Sequence, residues 1–298
     1  MPRSFLCWLL VLIVAGGTGA MVGCDAASGP SDTANGSDPV NGEGGLFIIG
    51  GGAQPDDMVA RMIAEAGVDT SGQAVILPMA DADPLDAIDE VKARLEAAGA
   101  QSVQGVHLAG GNHPTDEDLD AIRSAQLIYL TGGDQRRFMD RVEETAIPDA
   151  IHEGYDQGAI VAGTSAGAAV MGRHVITGDE QRYDEYHPTY RTLESENLIV
   201  RDGLDLWPNA IIDQHFIYRS RYNRLLTAVL EKPSFIGVGV DESTALLVTD
   251  EQAEVVGDWQ VVVVQHPTGT TATKDRLLGG RGLTIDIYLP GDAVSDLL

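Results

Sequence analysis

Ser165 stands at the centre of Gly163-Thr164-Ser165-Ala166-Gly167, with apolar AIVA before the pentapeptide and AAVMG behind it. An apolar run, a sharp Gly-rich turn and a run of small residues spell a buried strand, a turn and a closely packed helix. G-x-S-x-G at such a turn leaves a serine hydroxyl exposed on a strained backbone. The N-terminus of the following helix aims free N–H groups at the same point, where an oxyanion would form. A Gly-rich turn with a helix-capping serine is the plainer reading, so the partners of Ser165 decide. A serine hydroxyl alone is a weak nucleophile at neutral pH and needs a base. His215, in Asp213-Gln214-His215-Phe216 at the end of an apolar run, is the best placed of the seven histidines. No two histidines are spaced H-x-x-x-H, so no histidine metal site is expected.

Arg219, Arg221 and Arg224 follow at the start of a predicted helix. Cations there oppose the helix dipole at a cost of about 0.3–1 kcal/mol each when exposed. Stability alone does not place three of them there, but carboxylates of the protein or of a ligand would. Arg221 and Arg224 share one helix face and Arg219 points elsewhere, so two of the three are expected to touch ligand.

These residues need a frame that brings strand ends together. From Leu46 onward, short apolar runs alternate with helical patterns. Strands are read at 46–52, 73–79, 102–108, 126–135 and in the run before Ser165. Helices are read at 56–66, 84–98, 115–124, 135–143 and 147–157. That alternation implies βαβ units and a mostly parallel sheet flanked by helices. Runs apolar throughout fit strands covered on both faces. Residues 173–197 read as a long polar loop beside the site, 210–216 as a strand, and Ser220 to Leu230 as a helix. The valine-rich runs between 235 and 265 read as strands joined by tight turns, as at an antiparallel edge, and 283–289 as the last strand. In open α/β sheets ligands sit beyond the carboxyl ends of the strands. Gly132-Gly133-Asp134-Gln135, the Ser165 turn and the His215 segment all fall there.

Together, GGDQ (132–135), GTSAGA (163–168), DQHF-x-x-R-x-R-x-x-R-L (213–225) and GVDESTAL (239–246) resemble the cyanophycinase family, relatives of aspartyl dipeptidase E. The likeness runs from about Leu46 to Val248. It implies a flavodoxin-like α/β sheet related to class I glutamine amidotransferases, with serine in place of their cysteine. It implies Ser165 as nucleophile, His215 as base and Glu242 as the acid that orients the histidine. The backbone N–H groups of Gly133 and Ala166 would form the oxyanion hole. Gln135, Asp213, Gln214, Arg219, Arg221 and Arg224 would line the substrate pocket. Asp241 and Glu242 are neighbours on one predicted strand, so only one can face the site. The resemblance favours Glu242, and Glu185 and Glu194 stay open as alternatives. The implied substrate is cyanophycin, a polyaspartate carrying arginine on its side-chain carboxyls, released as β-aspartyl-arginine dipeptides. By charge, Asp134 or the acids of 179–196 would suit the substrate guanidinium groups. The family also implies a homodimer.

The formal charge of −26 argues against a nucleic-acid partner, whose phosphates would be repelled. Residues 1–23 read as a signal peptide: Arg3, the apolar FLCWLLVLIVA, then a small-residue zone. Met21-Val22-Gly23-Cys24 resembles a lipobox, which implies cleavage before Cys24, its lipidation, and an extracytoplasmic, membrane-anchored protein. Residues 24–45, poor in apolar side chains, read as a flexible tether of roughly 25 Å reach, leaving residues 46–298 as the catalytic domain. With Cys7 removed and Cys24 lipidated, the domain holds no thiol, so cysteine nucleophiles and cysteine-bound metal are excluded and no cofactor is called for. Three rivals keep the same residues in other roles. One is a small aspartyl or isoaspartyl dipeptidase with the same triad. Another is an α/β-hydrolase esterase, whose order Ser, acid, His makes His266 the base. The third is a lipoprotein that binds peptide without turnover.

Overall fold

The computed structural model describes residues 44–108, 113–185, 187, 189–250, 252–266 and 269–294. All of them belong to one compact unit, Gly36–Leu298. The signal peptide, Cys24 and nearly all of the tether lie outside the described residues. No helix among the described residues is long and apolar enough to cross a membrane.

Seven strands form the main sheet: β1 (Gly45–Ile49), β2 (Ala74–Leu77), β3 (Val103–Gly105), β4 (Leu127–Leu130), β5 (Ile160–Thr164), β10 (Thr244–Val248) and β11 (Ala253–Gly257). Their order is β11-β10-β1-β5-β4-β2-β3. The five from β3 to β1 are parallel, and β10 and β11 run antiparallel at one edge. Successive side chains of a strand face opposite ways, and β1 divides its apolar residues between two cores on that period. Phe47 and Ile49 join helices α1 (Asp56–Ala66) and α2 (Pro84–Ala97) on one face. Leu46 and Ile48 join α3 (Asp116–Arg123), α4 (Gln135–Val142) and α5 (Ile147–Asp156) on the other. The flavodoxin-like layering with an antiparallel edge is as expected.

The second half departs from expectation. The strands between 235 and 265 divide between two sheets. A four-stranded sheet, β15-β12-β9-β8, is built from β8 (Ala210–Gln214), β9 (Ile236–Val240), β12 (Val261–Gln265) and β15 (Thr284–Tyr288). Its β8 and β9 are parallel, and α7 (Tyr222–Glu231) packs on one face through Leu225, Ala228 and Val229. The opposite face, through Ile212, Val238, Val240, Val261 and Val263, completes the large core beside the main sheet. The region read as a polar loop holds β6 (His174–Glu180), which pairs with β7 (Leu198–Asp202). A second hairpin, β13 (Thr270–Lys274) with β14 (Leu277–Arg281), also went unpredicted; β13 carries five exposed residues and shows no apolar alternation.

Candidate active site

Five loops meet at the carboxyl ends of β1, β4, β5, β8 and β9. Ser165 follows β5 at φ 52° and ψ −110°, a strained conformation for a residue with a side chain. Its N–H donates to the Ile49 carbonyl at 3.0 Å. A Cβ at Gly163 would lie 2.5 Å from the Gly167 carbonyl oxygen, and one at Gly167 would lie 2.3 Å from that of Leu130, so the elbow closes only with glycine at both. The helix behind it, α6 (Ala166–Ala169), is a single turn. A peptide dipole summed over one turn is small, so any help to an oxyanion comes from individual N–H groups. Ala166 is buried directly behind Ser165. Gly133, at φ 133°, lines the cavity in front of it.

His215 occupies the turn after β8, also at positive φ (50°). Its Nε2 lies 2.9 Å from Ser165 Oγ and its Nδ1 2.6 Å from Glu242 Oε1. With the proton on Nδ1 shared with the carboxylate, Nε2 is left to accept the serine proton. Burial lowers the imidazole pKa below its ordinary value; Glu242 opposes that shift, and Arg219 and Arg221 reinforce it. The net effect favours the neutral ring, the form that can accept a proton. Asp241 and Glu242 lie just past the end of β9 in the turn to β10, not within the strand. Only Glu242 faces the histidine; Asp241 accepts the Tyr218 N–H at 2.9 Å. The alternatives are placed elsewhere. Glu194 is buried with Tyr183 at 2.9 Å, and Glu185 stands 3.8 Å from His187. His266 follows β12, in the other sheet, with Nε2 2.8 Å from the Arg281 carbonyl oxygen.

All three arginines and Gln214 line the cavity, as expected, but the arginines reach it by different routes. The helix begins only at Tyr222, so Arg219 and Arg221 belong to the turn ahead of it. Arg224 is buried and grips Asp213 with two contacts, Nε to Oδ2 at 2.7 Å and Nη2 to Oδ1. Asp213 is itself buried and does not line the cavity, which corrects its expected role. Arg221 is also buried and donates to the Gln214 carbonyl at 2.8 Å and to its side-chain oxygen. Arg219, expected to point away, is the partly exposed one; it borders the cavity with Nε 3.8 Å from Glu242. Gln135 lines the cavity as expected, but its amide N–H groups are committed to the Ile176 and Thr177 carbonyls at 2.8 and 2.9 Å. Asp134 is also occupied. It caps α4 and pairs with Arg136 at 2.8 Å, and this hydrogen bond holds its carboxyl below the usual carboxylate range. Arg136 reaches on to Asp179 of β6 and so straps the hairpin over the cavity.

The cavity in front of Ser165 measures about 180 Å³. A hydroxyl, an imidazole and a carboxylate in line beside a polar cavity are arranged for acyl transfer. Comparison with known proteins agrees. The sequence model of peptidase family S51 matches residues 46–256. The chain belongs to peptidase family S51.

Like other members of family S51, it is a serine-type peptidase. It is 32% identical to the cyanophycinase of Geminocystis herdmanii over 201 residues, 65% of this chain and 70% of that one. It is 30% identical to the cyanophycinase of a Nostoc species over 240 residues, 78% of this chain and 77% of that one. A crystal structure of a peptidase from an acI-B1 actinobacterium shares the fold, with a TM-score of 0.60, 20% identity, and coverage of 84% of this chain and 96% of that one. Among the described residues, no group of three or more His, Cys, Asp or Glu is placed to hold a metal ion. Two contributors to the family S51 site escaped sequence reading. Thr177 and Gly178 reach the cavity from β6, a strand without apolar alternation, beside Asp179, one of the acids that charge had suggested. Gly50, Gly51 and Gly52 after β1 underlie the site, and their only signal was three glycines in a row at a strand end.

Proposed function

We propose that this peptidase hydrolyses cyanophycin, with Ser165, His215 and Glu242 as its triad. Ser165 Oγ attacks a backbone carbonyl of the polyaspartate while His215 Nε2 takes its proton. Charge develops on the carbonyl oxygen, where the N–H groups of Gly133 and Ala166 would meet it; each such donor is typically worth about 2.7–4 kcal/mol in the transition state. His215 returns the proton to the departing amine, and water then cleaves the acyl-enzyme and frees a β-aspartyl-arginine dipeptide.

One observation carries the substrate class: opposite charges in adjoining spaces. Arg219 borders the cavity in front of Ser165, where a substrate carboxylate would meet it. An adjoining cavity of about 220 Å³ is lined by Asp179, Glu180, Asp184 and Glu185, complementary to a guanidinium. A small aspartyl dipeptidase is the second reading, favoured by the modest 180 Å³ in front of the serine. We place the enzyme outside the cytoplasm, tethered through lipid on Cys24 and paired as a homodimer. The deciding test incubates the purified protein with cyanophycin and, in parallel, with Asp-X dipeptides. Dipeptide release from the polymer, abolished in a folded Ser165→Ala variant, is the expected result. Turnover of the dipeptides alone overturns the polymer assignment, and full activity in Ser165→Ala overturns the triad.

A further inference from the structure

The last residue of β1 and the two glycines after it present three successive carbonyl groups, and each holds one arm of the site. Ile49 accepts the N–H of Ser165 at 3.0 Å, Gly50 that of His215 at 2.7 Å, and Gly51 that of Ser243, next to Glu242, at 2.8 Å. All three donors sit at positive φ, 52°, 50° and 54°, although none is glycine. Such conformations persist only where neighbours over-determine them. Here the over-determining element is a single piece of backbone.

The same segment is stripped of side chains where the triad needs the space. Gly51 has φ 102°, and a Cβ there would lie 2.4 Å from His215 Cε1 and 2.6 Å from its Nε2. Gly52, at φ 71°, would place a Cβ 2.8 Å from Glu242 Cβ; Gly50 would place one 2.0 Å from the Asp241 carbonyl oxygen. The glycines are thus a floor under the imidazole and carboxylate. The ring contact falls on Cε1 and on Nε2, the atom that faces Ser165.

Resting on the triad reading above, we propose that Gly51 is a positioning residue. The bare backbone under the His215 ring, with the three carbonyl anchors, fixes the 2.9 Å approach of Nε2 to Ser165 Oγ. A methyl group at 51 cannot share that space, so the ring must tilt or rise. Binding of the substrate through Arg219 is untouched by this, whereas proton transfer is not. Displacement of a reacting group by about 1 Å costs on the order of 100-fold in rate.

The test compares Gly51→Ala with Gly67→Ala. Gly67 also has positive φ (67°), but a Cβ there meets nothing within 4 Å, so it carries backbone strain alone. Steady-state kinetics use whichever of cyanophycin or Asp-X dipeptide the wild-type protein turns over. Gly51→Ala is expected to lower kcat about 100-fold with KM within about threefold, and to move the acid limb of the pH–rate profile. Gly67→Ala is expected to leave kcat, KM and the profile as in the wild type. A Gly51→Ala protein with kcat within threefold and an unmoved acid limb overturns the proposal.

A thermal-unfolding cycle with His215→Ala covers the case in which Gly51→Ala folds poorly. Removing the imidazole relieves the clash, so Gly51→Ala should lower Tm much less in the His215→Ala background than in the wild type. Equal losses in both backgrounds overturn the proposal without reference to activity. If His215→Ala itself is fully active, the triad reading fails; if only Gly51→Ala is active, the positioning role alone fails.

Discussion

Replacing Glu242 by glutamine keeps the shape behind His215 and removes its charge. In the resting site the carboxylate lies 2.6 Å from Nδ1. When His215 takes the serine proton, the new imidazolium faces that carboxylate with charge centres about 4 Å apart. At an effective dielectric constant near 20, the attraction is about 4 kcal/mol. Each 1.36 kcal/mol is tenfold in rate, so this alone is about 10³-fold. A glutamine N–H₂ turned toward the ring would also favour the wrong tautomer, and the analogous change in a serine-protease triad costs roughly 10⁴-fold. Glu242→Gln is therefore expected to lose roughly 10³–10⁴ in kcat with little change in KM, because the carboxylate stands behind the histidine. The acid limb should move to lower pH, since Glu242 is what raises the His215 pKa against burial. Asp241→Asn is the matched comparison. Its side-chain oxygen can still accept the Tyr218 N–H, so kcat should stay within about tenfold. The assay is kcat and KM against pH for both variants. Glu242→Gln retaining more than a tenth of wild-type kcat, or a greater loss in Asp241→Asn, would falsify the assignment of the third member.

Arg219→Ala should shift the same acid limb in the opposite direction. Removing a cation that disfavours the imidazolium raises the His215 pKa, so activity is lost at higher pH than in the wild type. KM for an anionic peptide should rise roughly 10–150-fold, matching about 1.5–3 kcal/mol for a charged hydrogen bond; an unchanged KM and profile would refute both roles. Arg224→Met leaves the buried Asp213 carboxylate with the Gln214 N–H at 2.8 Å and, as a cation, Arg221 at 3.7 Å. Breaking such a pair costs about 3–5 kcal/mol, or a fall in Tm of roughly 6–20 °C for a domain of this size. A melting curve shifted by less than 3 °C would show that the pair is not what secures the turn before α7.

Much of the site was legible because it is written in adjacent residues. Gly163, Ser165 and Gly167 announce an elbow, since only glycine allows backbones to approach as those two do. The βαβ alternation from Leu46 to Thr164 prescribes parallel strands and so delivers Ser165 and Gly133 to one edge. The DQHF segment names a histidine at a strand end. Local pattern suffices wherever backbone geometry and hydrophobic period set the answer.

Other features depend on which chain segments meet. Helical spacing paired Arg221 with Arg224, which do line the cavity, and dismissed Arg219, but α7 starts only at Tyr222, and the turn before it brings Arg219 to the same cavity. Asp213 looked like a ligand-binding acid until Arg224 folded onto it; a buried carboxylate needs a cation, and no local rule says which. The polar stretch 173–197 gave no sign of β6, whose pairing with β7 brings Thr177 and Asp179 to the cavity. Most of all, Gly50 and Gly51 look like an ordinary strand ending. Their importance arises because β5, β8 and the turn after β9, far apart in the chain, each place an N–H on successive carbonyls of that one segment. Residue types and spacing settled which chemistry was possible. Long-range hydrogen bonds and packing settled which side chains meet at the site, because those contacts join residues 49–51 to 165, 215 and 243, which no local period can relate.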